Sequence, residues 1–367
     1  MKPKIIAFYL PQFHPTEHNN LWWGKGFTEW TNVAKAKRLF PGHYQPKIPT
    51  ELGFYDLRLP EIREEQALLA KEAGINCFCY YHYWFGNGQV ELERPFTEVV
   101  RSKKPDFPFC LCWANESWYK KFWNKEGAVV DKKILAEQKY CGEEDDINHF
   151  YSLLTAFKDK RYFKVNGKLL FVIYKPLEFK EVKRFITLWQ RLAEENGLPG
   201  FHFSGFTYFA DNKGETILDC GFDSIISCRH NRDKIHNTSW LLRKAASMLL
   251  RCPRMIRYKT IWPRLISDLE RYDSKYIPVI MPNWDHTPRS GRNGDLFLNP
   301  SPAEFKKHCK DVLISVKEKE IPLCFIKSWN EWGEGNYMEP DIKYGKGYIN
   351  ALKETLSELQ EKNENSI

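Results

Sequence analysis

Short apolar runs alternate along the chain with longer segments in which apolar residues recur at helical spacing. The short runs are rich in β-branched and aromatic residues, so they predict β-strands. The predicted strands are Ile5–Leu10, Ile75–Tyr81, Phe107–Trp113, Leu169–Tyr174, Phe201–Phe206, Phe222–Ser227, Tyr276–Met281 and Leu323–Ser328. Strands that alternate with helices favour a parallel sheet built from βα units.

The segments between these runs predict helices. The predicted helices are Glu61–Ala73, Pro95–Ser102, Ile147–Lys158, Phe179–Asn196, Ile217–Asp219, Ala303–Lys317 and Tyr348–Gln360. Gly74 and Gly197 directly follow two of them, which is typical of helix C-termini. The segment from Pro11 to about Pro60 is predicted to be a long aromatic loop.

A strand and helix order of this kind, in a chain of this length, predicts a (β/α)₈ TIM barrel. An open, doubly wound sheet is the alternative fold. That fold would carry a glycine-rich phosphate loop after its first strand, and here the position holds Pro11-Gln12-Phe13-His14-Pro15. We predict one domain, residues 1–367, with an insertion at 229–272 after the sixth strand.

The composition narrows the class of protein. Of the 367 residues, 43% are hydrophobic and 15% aromatic, which excludes global disorder. No apolar run approaches the roughly 20 residues that a membrane-spanning helix needs. The first ten residues have a basic start and a short apolar stretch that ends at Pro11, so they predict a first strand rather than a signal peptide.

The cysteines are predicted to be buried thiols in a reducing, cytoplasmic setting. Cys77 and Cys79 lie two residues apart inside an apolar run, as do Cys110 and Cys112, so each pair shares one strand face. Neither Cys-x-x-Cys nor histidines at metal-binding spacing occur, so no zinc site is predicted. No Asp-x-Asp triplet is present either, and no cofactor or metal is assigned.

Polar and aromatic residues gather where the predicted strands end, which is where a (β/α)₈ barrel carries its active site. Tryptophan and tyrosine stack on the apolar faces of sugar rings, and amides, carboxylates and histidines bind the hydroxyl groups. Any single aromatic residue can instead belong to the core. The predicted substrate-binding residues are Tyr9, Gln12, His14, Glu29, Trp30, Tyr81, His82, Trp84, Trp113, Asn115, Glu116, Trp118, Tyr174, His230, Asn283, Trp284, Asp285, Trp329, Asn330 and Trp332.

Cleavage of a glycosidic bond commonly needs two carboxyl groups. Two pairings are open from the residues alone. One is Glu331 with Glu334, three residues apart in a glycine-containing turn after strand eight; the other is Glu116 after strand three with Glu331. Asn-Glu dipeptides are common, whereas Trp329-Asn330-Glu331-Trp332-Gly333-Glu334-Gly335 is much rarer by chance.

Several segments in combination resemble a known family. They are Tyr9-Leu10-Pro11-Gln12-Phe13-His14, Gly26-Phe27-Thr28-Glu29-Trp30, His82-Tyr83-Trp84-Phe85, Leu92-Glu93-Arg94-Pro95-Phe96, Phe109-Cys110-Leu111-Cys112-Trp113-Ala114-Asn115-Glu116 and Trp329 through Gly335. The family is that of the WbsX-type glycosyltransferases, which is related to glycoside hydrolase family 99, the endo-α-mannosidases. The resemblance extends from Ile5 to about Leu359.

The resemblance implies a (β/α)₈ barrel and a role in the assembly of bacterial surface polysaccharides such as O-antigen or capsule. It also implies a retaining mechanism with two catalytic glutamates. Glu331 would be the base that deprotonates the sugar 2-hydroxyl, giving a 1,2-anhydro intermediate. Glu334 would be the acid that protonates the leaving oxygen and later activates the acceptor, so Glu116 would not be needed as a nucleophile.

The predicted insertion is strongly basic. Residues 229–271 hold eleven Lys or Arg against three Asp or Glu, and this excess of +8 equals the net charge of the whole chain. Residues 239–264 are typical of a basic amphipathic helix, which would bind an anionic membrane surface or a phosphate-bearing partner. The alternative is a solvated basic hairpin packed over the barrel. No reader motif for nucleic acid is present, so none is expected as a partner.

We therefore expect an enzyme of glycosidic bonds. A glycosyltransferase that uses a glycan or an activated sugar is favoured, in the cytoplasm or at the inner face of the membrane, because a cationic lid suits a diphosphate-linked substrate. A retaining endo-glycosidase, similar to the endo-α-mannosidases, is the first alternative, since water can take the place of a sugar hydroxyl. A catalytically silent carbohydrate-binding barrel is the second.

Overall fold

The computed structural model describes residues 3–123, 129–230, 245, 249 and 252–364. Eight parallel strands form its centre. They are β1 (Lys4–Tyr9), β2 (Cys77–Trp84), β3 (Phe109–Trp113), β4 (Lys168–Ile173), β5 (Phe201–Thr207), β6 (Ser224–Ser227), β7 (Tyr276–Ile280) and β8 (Leu323–Ile326). Each strand pairs with the next and β8 pairs with β1, so the sheet closes. The predicted (β/α)₈ barrel is confirmed, with strand ends within three residues of those predicted.

The strands are buried along nearly their whole length, which explains why they read as continuous apolar runs. Every residue of β2 and β3 is buried. The four paired thiols lie here as predicted: Cys79 stands opposite Cys110 in the ladder, and Cys77 Sγ lies 3.8 Å from Cys110 Sγ. Cys77 and Cys79 share the face of β2 that carries Tyr81, and they behave there as small buried hydrophobic residues.

Helices surround the barrel. The longer ones are Pro60–Ala73, Arg94–Ser102, Glu143–Phe157, Val182–Glu195, Ala210–Asp219, Pro302–Val316 and Gly347–Glu364. The helix from Pro60 begins with proline and ends at Gly74, whose φ of 86° suits a residue without a β-carbon. The predicted remnant over 217–219 was too short, because the helix already begins at Ala210.

The segment predicted to be a loop between β1 and the first long helix contains two short helices, so that prediction was wrong in part. They are Glu17–Trp23 and Glu29–Lys35. The first is capped by Thr16, whose hydroxyl accepts from the backbone of Asn19. Helices of seven residues are too short to show a clear periodicity in the sequence.

Short strands decorate the barrel ends. An antiparallel hairpin pairs Trp118–Trp123 with Val129–Ala136 above β3. The other short pairs are Val90–Glu91 with β2, Lys164–Val165 with β4, Arg254–Arg257 with Asp295–Leu298, and Asn330–Glu331 with Asn336–Tyr337. Three short helices, Tyr258–Ile261, Asp268–Tyr272 and Thr287–Ser290, lie around β7 together with the 3₁₀ turns Trp262–Arg264 and Gly291–Asn293.

Much of the predicted basic helix, 239–264, lies outside the described residues. Where the description resumes, the chain forms a strand over Arg254–Arg257 and a short helix over Tyr258–Ile261. Tyr258 and Ile261 are buried in the core, so this end of the predicted surface helix is wrong. The buried Arg229 contacts both Glu270 and Asp211, which ties the two ends of the insertion together. No helix in the described part of the chain is both long and apolar enough to cross a membrane.

Candidate active site

An open cavity of about 720 Å³ lies at the carboxyl ends of the barrel strands. Leu10 and Gln12, which follow β1, line the cavity, and β2 supplies Tyr81 and Tyr83. The remaining walls come from the loops after β3, β4, β7 and β8 and from the segment between β1 and β2. These further lining residues are Asn19, Trp23, Phe27, Glu29, Asn32, Ala114, Glu116, Ser117, Trp118, Tyr119, Leu135, Tyr174, Glu178, His286, Arg289, Ser290, Lys327, Glu331 and Glu334.

Glu331 and Glu334 converge on one lysine at the base of this cavity. The Lys327 Nζ lies 3.0 Å from Oε2 of Glu331 and 3.8 Å from Oε2 of Glu334. Lys327 is the first residue after β8, and Glu331 is the last residue of the short strand Asn330–Glu331 that follows it. The lysine and Glu331 are almost fully buried, while Glu334 is partly open to the cavity.

Burial governs the proton affinity of this group. It raises the pKa of Glu331 to about 7, with the neighbouring Lys327 opposing the rise and Glu334 adding to it. Burial alone would lower the pKa of Lys327, but the carboxylates of Glu331 and Glu334 raise it well above its usual range. A carboxyl group with a pKa near neutrality is suited to proton transfer at physiological pH.

Arg289 joins two of the cavity carboxylates. Its Nη1 donates to Oε1 of Glu334 at 2.6 Å. On its other side, Nε and Nη2 lie 3.0 Å and 2.8 Å from Oε1 of Glu29. Arg289 belongs to the helix Thr287–Ser290, which follows β7. The backbone N–H and the hydroxyl of Thr287, the first residue of this helix, donate to the carboxylate of Asp285.

Glycine at position 333 makes room for this arrangement. A β-carbon there would lie 1.6 Å from Oε1 of Glu29 and 3.1 Å from Nε of Arg289. Glu29 is the first residue of its helix, and its backbone N–H donates to the carbonyl of Gln12. The glycine of the Trp-Gly-Glu sequence therefore lets a carboxylate from the start of the chain lie against the loop after β8.

Aromatic and acidic side chains form the upper walls. The hydroxyl groups of Tyr174 and Tyr208 lie 2.5 Å apart, and Lys327 donates to the Tyr81 hydroxyl at 3.4 Å. Trp118 packs edge-on against the Tyr83 ring. Glu116 also lines the cavity, and burial raises its pKa. The Nζ of Lys175, 3.6 Å from Oε2 of Glu116, opposes this rise.

The structure brings some of the predicted site residues into the cavity and places others behind it. Those that line the cavity are Gln12, Glu29, Tyr81, Glu116, Trp118, Tyr174, Glu331 and Glu334. Those that do not are Tyr9, His14, Trp30, His82, Trp84, Trp113, Asn115, His230, Asn283, Trp284, Asp285, Trp329, Asn330 and Trp332. This second group is buried, and most of its members support the residues of the first.

Two tryptophans of the strand-eight motif pack beneath the cavity. Trp329 and Trp332 are fully buried, and Trp332 stacks on Tyr337 with ring centroids 3.8 Å apart. Trp30 also packs against Trp332, with ring centroids 5.4 Å apart and the rings tilted by 54°. Asn330 accepts from the backbone of Leu10 at 2.8 Å and donates back to its carbonyl, which fixes the loop to β1.

A histidine pair lies behind the second and third strands. The Nε2 atoms of His82 and His149 are 2.8 Å apart, and the His149 ring stacks on Trp84 with an angle of 5°. Burial lowers the pKa of His82 to about 4 and also lowers that of His149. Trp113 meets His149 edge-on. These four rings form a neutral, buried aromatic layer.

The remaining predicted residues hold neighbouring loops. Tyr9 donates to Gln66 at 2.6 Å, and the Nδ1 of His14 lies 3.0 Å from the carbonyl of Pro11. The side chain of Asn115 bonds to the backbone of Lys175. Three contacts from one segment hold the Asp285 carboxylate, and its partners are His43, Gln45 and Lys47.

His230 and Trp284 pack against each other on the far side of Lys327. Their ring centroids are 4.4 Å apart, and the Lys327 Nζ lies 6.0 Å from the Trp284 ring centre. The side chain of Asn283 accepts from the backbone of Trp284. These residues shape the pocket that holds the lysine.

Sequence reasoning missed Lys327 and Arg289, which are the lysine and the arginine that line the cavity in the described part of the chain. Lys327 lies at the carboxyl end of β8, where the fold rule alone would place a functional residue. Arg289 follows Asp285 by one helical turn, and its partners lie far away in sequence. Among the described residues, no three His, Cys, Asp or Glu side chains lie close enough together to hold a metal ion.

The closed barrel and its paired glutamates define a class of carbohydrate-active proteins. Within that class, the chain belongs to the glycosyltransferase WbsX family, whose model matches residues 5–352. An uncharacterized protein, WxcX, of Xanthomonas campestris pv. campestris strain ATCC 33913 is 33% identical over 363 residues, and so is WxcX of strain B100. The match covers 96% of this chain and 49% of each relative, so the chain spans about half the length of these curated relatives.

Solved structures share the fold. The GH99 endo-alpha-mannosidase of Bacteroides thetaiotaomicron aligns with a TM-score of 0.61 at 15% identity, covering 98% of both chains. A glycoside hydrolase-like protein aligns with a TM-score of 0.59 at 14% identity, covering 97% of this chain and 94% of the other. At these identities the likeness shows a shared barrel fold and does not extend to the chemistry of the site.

Proposed function

We propose that this chain makes or breaks glycosidic bonds with Glu331 and Glu334 as its catalytic pair, and that it acts as a glycosyltransferase in the assembly of a bacterial surface polysaccharide. The observation that supports this is the convergence of both glutamates on Lys327 at the base of an open cavity. Membership in the glycosyltransferase WbsX family supports transfer as the reaction.

The proposed reaction retains the configuration at the anomeric carbon. In the first step Glu331 accepts the proton of the sugar 2-hydroxyl, and the freed oxygen attacks C1. Glu334 gives its proton to the leaving oxygen as the bond to C1 breaks, which leaves a 1,2-anhydro sugar. In the second step Glu334 takes the proton of the acceptor hydroxyl, and the acceptor oxygen attacks C1 as the bond from C1 to the 2-oxygen breaks. Glu331 returns its proton to the freed 2-oxygen.

The electrostatics of the cavity suit such a base. A group with a pKa of about 7 is ionised in part at neutral pH and still binds a proton strongly. Lys327 at 3.0 Å stabilises the Glu331 carboxylate before the proton arrives. Because Lys327 and Glu331 are both withdrawn from water, this interaction is stronger than it would be on the surface.

The cavity walls suit a saccharide. Trp118 and the tyrosines Tyr81, Tyr83 and Tyr174 offer aromatic surface and hydroxyl groups on the same walls. Glu116 and Gln12 add acceptors for sugar hydroxyls at the rim and the floor. A volume of about 720 Å³ lies within the usual range for small-ligand sites and leaves room for more than one sugar ring.

Hydrolysis is the second candidate, and the charge of the cavity favours it. Among the described residues, five carboxylates line the cavity (Glu29, Glu116, Glu178, Glu331 and Glu334) against Arg289 and Lys327. An acidic cavity is a poor site for the diphosphate of a nucleotide-sugar donor. A neutral glycan would serve as donor instead, with water as acceptor for an endo-glycosidase. The cytoplasmic location and the binding to anionic membranes through 239–264 stay predictions.

The test is turnover of a panel of glycans and activated sugars, with products identified by mass. The wild type is compared with Glu331→Gln, Glu334→Gln and the control Glu98→Gln, whose carboxylate pairs with Arg63 and Arg94 outside the cavity. We expect loss of at least about 100-fold in the first two variants and none in the control. Product without a sugar acceptor indicates a hydrolase, and equal processing by all four proteins would leave only a carbohydrate-binding barrel.

A further inference from the structure

The Arg289 ion pair sets a condition on the reaction proposed above. Its guanidinium donates to the Glu334 carboxylate at 2.6 Å, and a carboxylate held in this way is favoured in its ionised form. An ionised Glu334 has no proton to give to a leaving oxygen. The ion pair between Arg289 and Glu334 must therefore change before the glycosidic bond breaks.

Glu331 is the nearest source for the missing proton. Its carboxyl group and that of Glu334 face the same Lys327 ammonium, at 3.0 Å and 3.8 Å. Lys327 lies closer to Glu331, so it stabilises the Glu331 carboxylate more strongly once the proton has left. Glu334 also adds to the rise in the pKa of Glu331, and two interacting carboxyl groups favour the state in which they share one proton.

Glu29 can receive the guanidinium. It already accepts from two nitrogen atoms of Arg289, at 3.0 Å and 2.8 Å, and its side chain is almost completely buried. Its position is fixed because it begins a helix and lies against Gly333. Arg289 can thus release Glu334 without losing its charge partner.

On the basis of the proposed function, we propose that Glu331 and Glu334 share one proton and that the position of the Arg289 guanidinium determines which of the two holds it. With Arg289 on Glu334, the proton resides on Glu331. When the leaving oxygen of a sugar approaches Glu334, Arg289 passes to Glu29, and the proton moves from the Glu331 oxygen to the Glu334 oxygen. The number of protons and the net charge are unchanged, and the pair is then ready, with Glu331 as base and Glu334 as acid. Arg289 and Glu29 are positioning residues that act through Glu334.

The other titratable groups facing the pair do not compete for this proton. They are Tyr81, Tyr83, Tyr174, Tyr208 and Cys228, and burial raises the pKa of each. For Cys228 the value is about 12, so its thiol stays neutral at physiological pH. Glu116 is paired with Lys175 across the cavity, and His286 stands at the rim beside Arg289.

The test reads the proton directly, by NMR of protein labelled with carbon-13 at the glutamate carboxyl groups. The two signals are assigned by their loss in Glu331→Gln and Glu334→Gln. At pH 6 we expect Glu331 to give the signal of a protonated acid and Glu334 that of a carboxylate. In Arg289→Met the protonated signal should move to Glu334, because Lys327 then favours the ionised form of Glu331.

Two further variants separate this role from a structural one. Arg271→Met is the matched control, since Arg271 pairs with Asp311 and is exposed to the same extent as Arg289. It should leave both signals unchanged. Glu29→Gln removes the carboxylate that would receive Arg289, so the proton should stay on Glu331. We expect kcat to fall at least tenfold, with KM little changed. If Arg289→Met does not fold, Arg289→Lys, which cannot bridge both carboxylates, takes its place and should move the signal in the same direction.

The outcomes distinguish this inference from the proposed function. A proton that stays on Glu331 in folded Arg289→Met and Arg289→Lys overturns the inference, even when the wild type turns over a glycan. A proton that moves as expected, in a protein that processes no glycan, supports the inference as a statement about the pair and counts against the proposed function.

Discussion

The indole Nε1 of Trp332 donates a 2.6 Å hydrogen bond to the buried carboxylate of Glu339, directly beneath the loop that carries Glu331 and Glu334. The same carboxylate accepts from the Tyr55 hydroxyl at 2.9 Å and from the side-chain amide of Gln66 at 2.7 Å. Three donors from three segments thus meet on one acidic group. Burial raises the pKa of Glu339 to about 7 even though these donors oppose the rise.

Glu339→Ala should destabilise the protein by about 3–5 kcal/mol, because it leaves three buried donors without an acceptor. Glu339→Gln should cost about 1 kcal/mol, since one oxygen still accepts from both Trp332 and Tyr55, which share Oε2. Urea unfolding at pH 7 measures both variants. Equal losses for the two substitutions would contradict the view that the acceptor matters.

Lys327→Met should move the basic limb of the pH–activity profile to higher pH. The pair needs its one proton so that Glu334 can act as the acid, and activity therefore falls as the pH rises through the Glu331 pKa of about 7. Lys327 opposes the rise of that pKa, and without the cation the limb should shift upward by about one unit or more. The profile of kcat/KM against pH measures the shift.

Lys319→Met is the control for this experiment. Lys319 is also a buried lysine, but it precedes β8 and donates to the carbonyls of Glu270 and Tyr276. Its replacement should leave the basic limb in place. A downward shift in Lys327→Met would contradict the assignment of this limb to the proton held by Glu331.

Gly333→Ala should disturb the site through Glu29, because the added β-carbon would lie 1.6 Å from its Oε1. We expect a loss of about 2 kcal/mol in stability and at least tenfold in turnover. The double variant with Glu29→Ala removes the clash and should recover most of the stability, although not the activity. Urea unfolding of the four proteins in the cycle gives the coupling energy, and a value near zero would show that the two residues are independent.

The histidine pair should make the protein sensitive to acid. The unfolded chain binds protons at histidine near pH 6.5, whereas folded His82 binds one only near pH 4. The unfolded state therefore holds more protons in this window, and stability falls as the pH drops through it. His82→Gln should reduce the loss between pH 6.5 and 4 by up to about 3 kcal/mol. Urea unfolding midpoints across this pH range measure the loss of stability, and His18→Gln, which replaces a half-exposed histidine, is the control. If His82→Gln lost stability as steeply as the wild type, the histidine pair would not be the origin of the acid sensitivity.

The barrel was predictable because each of its strands is buried on both faces and leaves a continuous apolar run. The rule that chemistry lies at strand ends also located Glu331 and Glu334. It could not tell which side chains at those ends point into the cavity. Trp332 stands between the two glutamates in sequence, yet it faces down to Glu339, a partner that no spacing rule connects to it.

The cations were harder to foresee for a related reason. The place of Arg289 in the site depends on its ion pairs with Glu29 and Glu334, which lie 260 and 45 residues away in sequence. Pairings of that range depend on how the barrel closes, and a single sequence carries no periodic signal for them. The helices Glu17–Trp23 and Glu29–Lys35 were not predicted, because seven residues make only about two turns and show little helical periodicity.

The contact of Glu29 with Gly333 has a consequence for how this chain folds. The two residues lie 304 positions apart in sequence, and they meet only after β8 has paired with β1. A chain without that pairing would hold Glu29 apart from Arg289 and Glu334. Closure of the barrel and assembly of this ion-pair cluster are therefore a single event in folding.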